Sequence, residues 1–303
     1  MTAHHPRKSA ALGTAGGFAS VLIWSLTAPV MATAVGVDPF LYVALGDGVG
    51  ALAFVVMWII RRHNPLPELR RVPLWFYLLG FVGIGLHNLT WVAALQQAPP
   101  LEATLIIYTW PLLVIVFTTI SLRQKLKWYH MAAGTLGLCG IAALMMGRGL
   151  ELGALSFTSG HLWAVVCALT WSVFSAVAAR HTYLSSNFLG VVLLLSALFS
   201  GSVWVMIQGA PPAPPSSLWI VGVASVFFAL SYASWDYGMK HGDAQLIGVL
   251  SFITPVLSAV YLVLLGKAEM TVYLLAALML VVAGIGIAKF GETLAGRNKG
   301  LVA

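Results

Sequence analysis

A chain of 303 residues that is 60% hydrophobic and 8% charged, with a mean hydropathy of +0.92, cannot be a water-soluble globule, because soluble domains carry roughly 25% charged residues. The bilayer is its solvent. The net charge of +7 and the isoelectric point near 9.6 call for no nucleic-acid partner, since the cations follow a membrane pattern described below.

Ten apolar stretches follow one another at about 12–35, 39–60, 74–96, 101–121, 128–147, 158–179, 188–208, 217–239, 245–266 and 271–290, each near the roughly 20 residues a spanning helix needs. They use up most of the chain and leave no soluble domain. Basic residues precede the first stretch, as in a secretory signal, but the apolar run is too long for a signal core of about 7–15 residues and reads as a retained span. The second opens after Gly36-Val37-Asp38-Pro39 and holds Asp47 among Gly46, Gly48 and Gly50. The third follows Asn64-Pro65-Leu66-Pro67 and carries His87, Asn88, Thr90 and Trp91 near its middle. After Ala98-Pro99-Pro100 the fourth starts beside Glu102 and contains Tyr108-Thr109-Trp110-Pro111. The fifth has Gly134, Gly137 and Gly140, a small-residue pattern that permits close helix contact. On the sixth, Trp163, Cys167, Thr170, Trp171 and Phe174 fall on one side at helical spacing. The proline-rich Pro211-Pro212-Ala213-Pro214-Pro215 separates the seventh from the eighth, which carries Tyr232 and an Asp236/Lys240 pair at i, i+4 spacing. The ninth has Phe252-Ile253-Thr254-Pro255, and the tenth Gly284 and Gly286. Cys139 and Cys167 lie inside spans and read as buried free thiols.

An even number of spans returns both termini to one side. If that side is cytoplasmic, 14 of the 16 basic residues lie inside, and only Arg148 and Lys267 lie outside. This bias places both termini in the cytoplasm.

The stretch from Trp91 to Pro111 recurs as Trp235 to Pro255 at a constant offset (235 − 91 = 255 − 111 = 144). Carried on, the offset pairs Tyr129 with Tyr273, Gly140 with Gly284 and Gly147 with Gly291. Upstream, Ser20 to Ser25 (SVLIWS) matches Cys167 to Ser172 (CALTWS) at 147, so Trp24 pairs with Trp171. The chain is a duplication with five spans per copy, residues 1–150 and 151–303. An odd number of spans makes the second copy enter from the opposite face. The expected fold is all-α and integral to the membrane, with ten transmembrane helices as two inverted five-helix repeats.

The run from Trp91 through Ala98-Pro99-Pro100 to Tyr108-Thr109-Trp110-Pro111, the Arg123-Gln124-Lys125 turn and the Gly134/Gly140 spacing resemble the EamA family of the drug/metabolite transporter superfamily. Within it, the Trp- and Tyr-rich spans look most like the YddG-type exporters of aromatic amino acids. The resemblance implies that spans 1, 3, 4, 6, 8 and 9 surround a central cavity and that spans 5 and 10 pack outside it. Span 2 would then be peripheral, and Asp47 a packing or hydrogen-bonding residue.

Adjacent polar groups at bilayer depth are functional candidates, which singles out His87 and Asn88, with Trp91 on the His87 face. An aromatic-walled pocket suits a planar ligand through stacking and edge contacts. The substrate-binding candidates are therefore Trp24, His87, Asn88, Trp91, Tyr108, Trp110, Trp163, Trp171 and Tyr232. Pro111 and Pro255 each remove a backbone donor and are the gating candidates. Trp58, Trp75, Trp128, Trp204 and Trp219 lie near span ends, where an interfacial belt is expected.

These residues point to an exporter of aromatic amino acids and similar amphiphiles, working by alternating access in a bacterial cytoplasmic membrane. A multidrug or other small-metabolite exporter is the alternative. A channel does not need duplicated halves, and an intramembrane enzyme would need a nucleophile with its base, or a metal cluster, at membrane depth. Neither a cofactor nor a metal is expected. The expected partners are the small-molecule substrate and the lipid bilayer, around a monomer.

Overall fold

The computed structural model describes residues 6–27, 29–30, 38–149, 157–208 and 218–300, all of whose regular elements are helices. Among these residues nine helices are long and apolar enough to cross a membrane. They are Phe40–Ile60, Leu74–Gln97, Pro100–Ser121, Trp128–Met146, Ser159–Arg180, Phe188–Ile207, Leu218–His241, Ala244–Leu264 and Val272–Gly291, preceded by the shorter apolar helix Ala10–Trp24. In chain order these are the second to tenth spans and the first. Much of 25–35 beyond the first helix, the turn residues Gly36 and Val37, the 150/151 repeat boundary and the proline-rich 211–215 lie outside the described residues.

Local chemistry sets where the spans begin and break. The second span starts at Pro39 because the Asp38 carboxylate accepts from the backbone N–H of Phe40 (2.8 Å) and Leu41 (3.2 Å). Proline in the first turn lacks an N–H that would be orphaned anyway. The sixth starts with a capping box, in which the Thr158 N–H donates to His161 Nδ1 at 2.9 Å. The fourth is interrupted at Tyr108–Thr109, between Pro100–Ile107 and Trp110–Ser121, where Pro111 cannot donate to the Ile107 carbonyl. The ninth breaks at Ser251–Phe252, between Ala244–Leu250 and Ile253–Leu264, ahead of Pro255. In the third, a π-helical turn covers Val82–Leu86 and re-aims the following His87 and Asn88. The sixth span lies hard against this turn, since a Cβ on Gly83 would sit 2.2 Å from Phe174 Cβ.

The fifth and tenth spans pack along each other, and equivalent positions exchange partners. A Cβ on Gly147 would meet Tyr273 Cβ at 2.5 Å, and one on Gly291 would meet Tyr129 Cγ at 2.4 Å. A Cβ on Gly140 would lie 3.1 Å from the Ala277 carbonyl oxygen, and one on Gly284 would lie 2.9 Å from the Ala133 carbonyl oxygen. The start of each helix thus touches the end of the other, which makes the two antiparallel. Antiparallel helices that exchange equivalent contacts are related by a twofold perpendicular to both, an axis in the plane of a membrane they cross.

The other spans form a ring in the order first, eighth, second, seventh, third, sixth, fourth, ninth and back to the first. The second span is a ring member, not peripheral, because Gly50 lets Ala229 of the eighth span approach (2.8 Å from a built Cβ) and Gly48 admits Ala197 of the seventh (3.6 Å). The small residues take this position by close backbone approach. Both cysteines are free, but only Cys167 is buried; Cys139 is exposed on the outer surface.

Candidate functional site

The ring encloses a cavity of about 360 Å³. Trp24, Trp110 and Trp171 contribute to its wall, and Trp235, 1% exposed, packs behind them. These four indoles touch in every pairwise combination, with ring centroids 5.1 Å (Trp24–Trp235) to 6.4 Å (Trp24–Trp110) apart. They come from the first, fourth, sixth and eighth spans, so the cluster ties both halves of the chain together. Tyr232 leans on it, 6.0 Å from Trp24 and 5.8 Å from Trp171.

Polar groups occupy the wall of the second, third and eighth spans. His87 donates its Nδ1–H to the Cys167 carbonyl at 2.9 Å, which leaves Nε2 of the neutral ring as an acceptor. Its ring lies 5.5 Å from Trp171. Asn88 Nδ2 donates to Asp47 Oδ2 at 3.2 Å, and the same oxygen accepts from Ser196 Oγ at 2.5 Å. Tyr42, Ser225, Thr254 and Ser258 add hydroxyls. Arg148, just past the fifth span, supplies a cation to the wall near Tyr108.

The lining comes from the half of the bundle where the first span ends and the second begins. The opposite half is closed. There Gly13 lies against Gly242 (2.5 Å from a built Cβ) and Gly17 against Ile247 (2.6 Å). Gln245 Nε2 donates to Thr119 Oγ1 at 2.6 Å, and the Asp243 N–H donates to Thr14 Oγ1 at 2.9 Å. Asp236 and Lys240 form their i, i+4 pair in this half at 2.7 Å, with side chains 0% and 1% exposed. At the other end of the bundle, the fourth and sixth spans are joined by a 2.7 Å contact between Glu102 Oε2 and His161 Nε2.

Two equivalent joints of the ring are hydrogen-bonded in opposite senses. Between the sixth and fourth spans, Ser172 Oγ donates to the Trp110 carbonyl at 3.1 Å. Ser25 and Thr254 are their counterparts (172 − 147 and 110 + 144). There the sense is reversed: the Ser25 carbonyl accepts from Ser258 Oγ of the ninth span at 2.6 Å. The first helix also ends at Trp24, whereas the sixth continues to Arg180.

Of the residues expected at the site, Trp24, His87, Asn88, Trp91, Tyr108, Trp110, Trp171, Tyr232 and Pro255 line the cavity. Trp163 does not; eight residues before Trp171, about 12 Å along the helix, it packs half-buried against the core. Pro111 is buried in the fourth span, with its carbonyl against Gly248. Two charged residues missing from the expected site, Asp47 and Arg148, are part of the wall, as are Leu144 and Met145 of the fifth span. The fifth span therefore does not lie wholly outside. Asp47 is legible in the sequence as a rare intramembrane carboxylate, and its place in the wall follows from the second span's place in the ring.

Interrupted helices around a cavity between two related halves define the class of membrane transporters. The chain belongs to the EamA-like transporter family, which matches residues 11–146 and 158–289. It is 34% identical to an aromatic amino acid exporter YddG of Ancylobacter novellus, over 90% of this chain and 95% of that one. It is 26% identical to the YddG exporter of Escherichia coli, over 84% and 89%. A solved crystal structure, 31% identical, superposes with a TM-score of 0.83 and covers 92% of this chain and 97% of that one.

Proposed function

We propose that the protein exports aromatic amino acids across a bacterial cytoplasmic membrane by alternating access. The observation that carries this reading is the cavity of about 360 Å³, lined by the indoles of Trp24, Trp91, Trp110 and Trp171 together with aliphatic side chains and a set of hydroxyl, amide, carboxylate and guanidinium groups. The volume suits one small molecule. An aromatic ring against the indole cluster gains about 0.5–1.5 kcal/mol per ring pair beyond the area it buries, and the polar groups meet the amino-acid end.

The repeats at 1–150 and 151–303 supply the movement. With both termini cytoplasmic, the cavity faces outward and the closed half faces the cytoplasm. The alternative state arises when the first/ninth and sixth/fourth joints exchange their arrangements, with the breaks before Pro111 and Pro255 as hinges. The protein works as a monomer.

Flux into vesicles reconstituted with the protein tests the substrate. Labelled Phe, Tyr or Trp should cross faster than into empty vesicles. If none does while a cationic dye is carried, the protein is a multidrug exporter instead.

A further inference from the structure

We propose that the Asp47 carboxylate is the docking point for a primary ammonium group on the transported molecule. This rests on the aromatic amino-acid reading above and adds a charge requirement to it.

Asp47 is 6% exposed and forms part of the cavity wall. Its Oδ2 is served by Ser196 (2.5 Å) and Asn88 (3.2 Å), whereas Oδ1 has only the marginal 3.5 Å approach of Asn88 Nδ2. A carboxylate offers about four lone-pair sites, so acceptor capacity remains. No Lys, Arg or His forms an ion pair with it among the described residues. An unpaired charge at membrane depth costs several kcal/mol, and a cation entering the cavity would offset that cost.

A primary ammonium fits what surrounds the carboxylate. It brings three donors in a compact group, and the phenol rings of Tyr42 and Tyr232 share the wall with Asp47, where a cation gains from a ring face. Tyr232 shares the cavity wall with Asn88, the donor to Asp47, and its ring is in contact with Trp24 and Trp171. A molecule with its ammonium on Asp47 therefore directs its ring toward the indole cluster. Packing alone does not require an acid at this position. Gly48 and Gly50 already bring the second span against Ala197 and Ala229.

Three probes with the same ring separate the charges: phenylalanine, 2-phenylethylamine, which keeps only the ammonium, and 3-phenylpropanoate, which keeps only the carboxylate. Binding is measured on purified protein in detergent, with the thermal midpoint as the folding control. Asp47→Asn should weaken phenylalanine and 2-phenylethylamine at least about tenfold, roughly 1.4 kcal/mol, and leave 3-phenylpropanoate unchanged. Equal weakening of all three, or of none, overturns the assignment. So does a variant that loses only the pH dependence of binding, which would make Asp47 a proton site. Wild-type protein gives a test that needs no variant, since N-acetylphenylalanine should bind at least about tenfold more weakly than phenylalanine; equal binding overturns the proposal. If wild-type protein binds no phenylalanine at all, it is the aromatic amino-acid reading that fails.

Discussion

Replacing Trp171 with Ala tests whether the indole cluster is one cooperative floor or a set of independent packing residues. Trp171 is 3% exposed and touches six rings: Trp24, Trp110, Trp235, Tyr232, Phe174 and His87, at 5.4–6.3 Å. Summing about 0.5–1.5 kcal/mol per pair would overcount, because the rings share neighbours and such terms are not additive. A buried Trp→Ala change costs about 3–5 kcal/mol. At roughly 2–4 °C per kcal/mol the thermal midpoint in detergent should fall by roughly 6–20 °C. Trp171→Phe should recover more than half of the loss. Trp219→Ala removes an indole that is 68% exposed and should change the midpoint little. Flux of labelled tryptophan into vesicles should fall for Trp171→Ala by more than its loss of folded protein explains. A Trp171→Ala variant with the midpoint of Trp219→Ala and unaltered flux would refute the reasoning.

Gly137→Ala would put a Cβ 2.3 Å from Phe252 Cγ, so it should destabilise by about 1–3 kcal/mol. Gly222→Ala, with nothing within 4 Å, should be neutral or stabilise by up to about 1 kcal/mol in the same melt. Lys240→Met strands the buried Asp236 carboxylate and should cost about 3–5 kcal/mol, most of it regained by adding Asp236→Leu. In the turn after the second span, hydrogen bonds from Ser185 and Asn187, with His63 beside them, hold the Glu68 carboxyl below its ordinary value. Its contribution is present above the unfolded carboxylate pKa and is lost as pH falls through the lower folded value. The midpoints of wild type and Glu68→Gln should therefore differ at neutral pH and converge once the pH falls below the lowered folded value. Pro111→Ala restores the donor to the Ile107 carbonyl. It should slow turnover in vesicles more than it weakens binding, and an unchanged rate would remove the fourth-span hinge.

The spans were legible because bilayer-length apolar runs leave few alternatives, and the breaks in the fourth and ninth because proline has no N–H. The Trp91/Trp235 match identified which residues have counterparts, and the Tyr129–Gly291 and Tyr273–Gly147 contacts show two of those counterparts exchanging places. The π-turn before His87 was not legible. Phe174, about 90 residues away in the chain, packs against this turn at Gly83, and a sequence window around Gly83 does not contain that side chain. Trp163 and Trp171 looked equivalent for a similar reason: helical spacing gives the face of a helix, not how far along it a cavity extends.

The solvent, the helices, the duplication and most of the residues around the cavity follow from local hydropathy, backbone chemistry and internal similarity, all of which are written in the chain. Which helices form the ring follows instead from packing between distant segments. The approach of the second span to the seventh and eighth depends on side-chain volumes on three separate helices. That approach carries Asp47 from an expected packing position to the cavity wall. The opposite senses of the Ser258–Ser25 and Ser172–Trp110 hydrogen bonds are likewise a property of one packed state, because each joins side chains and carbonyls of two separate helices.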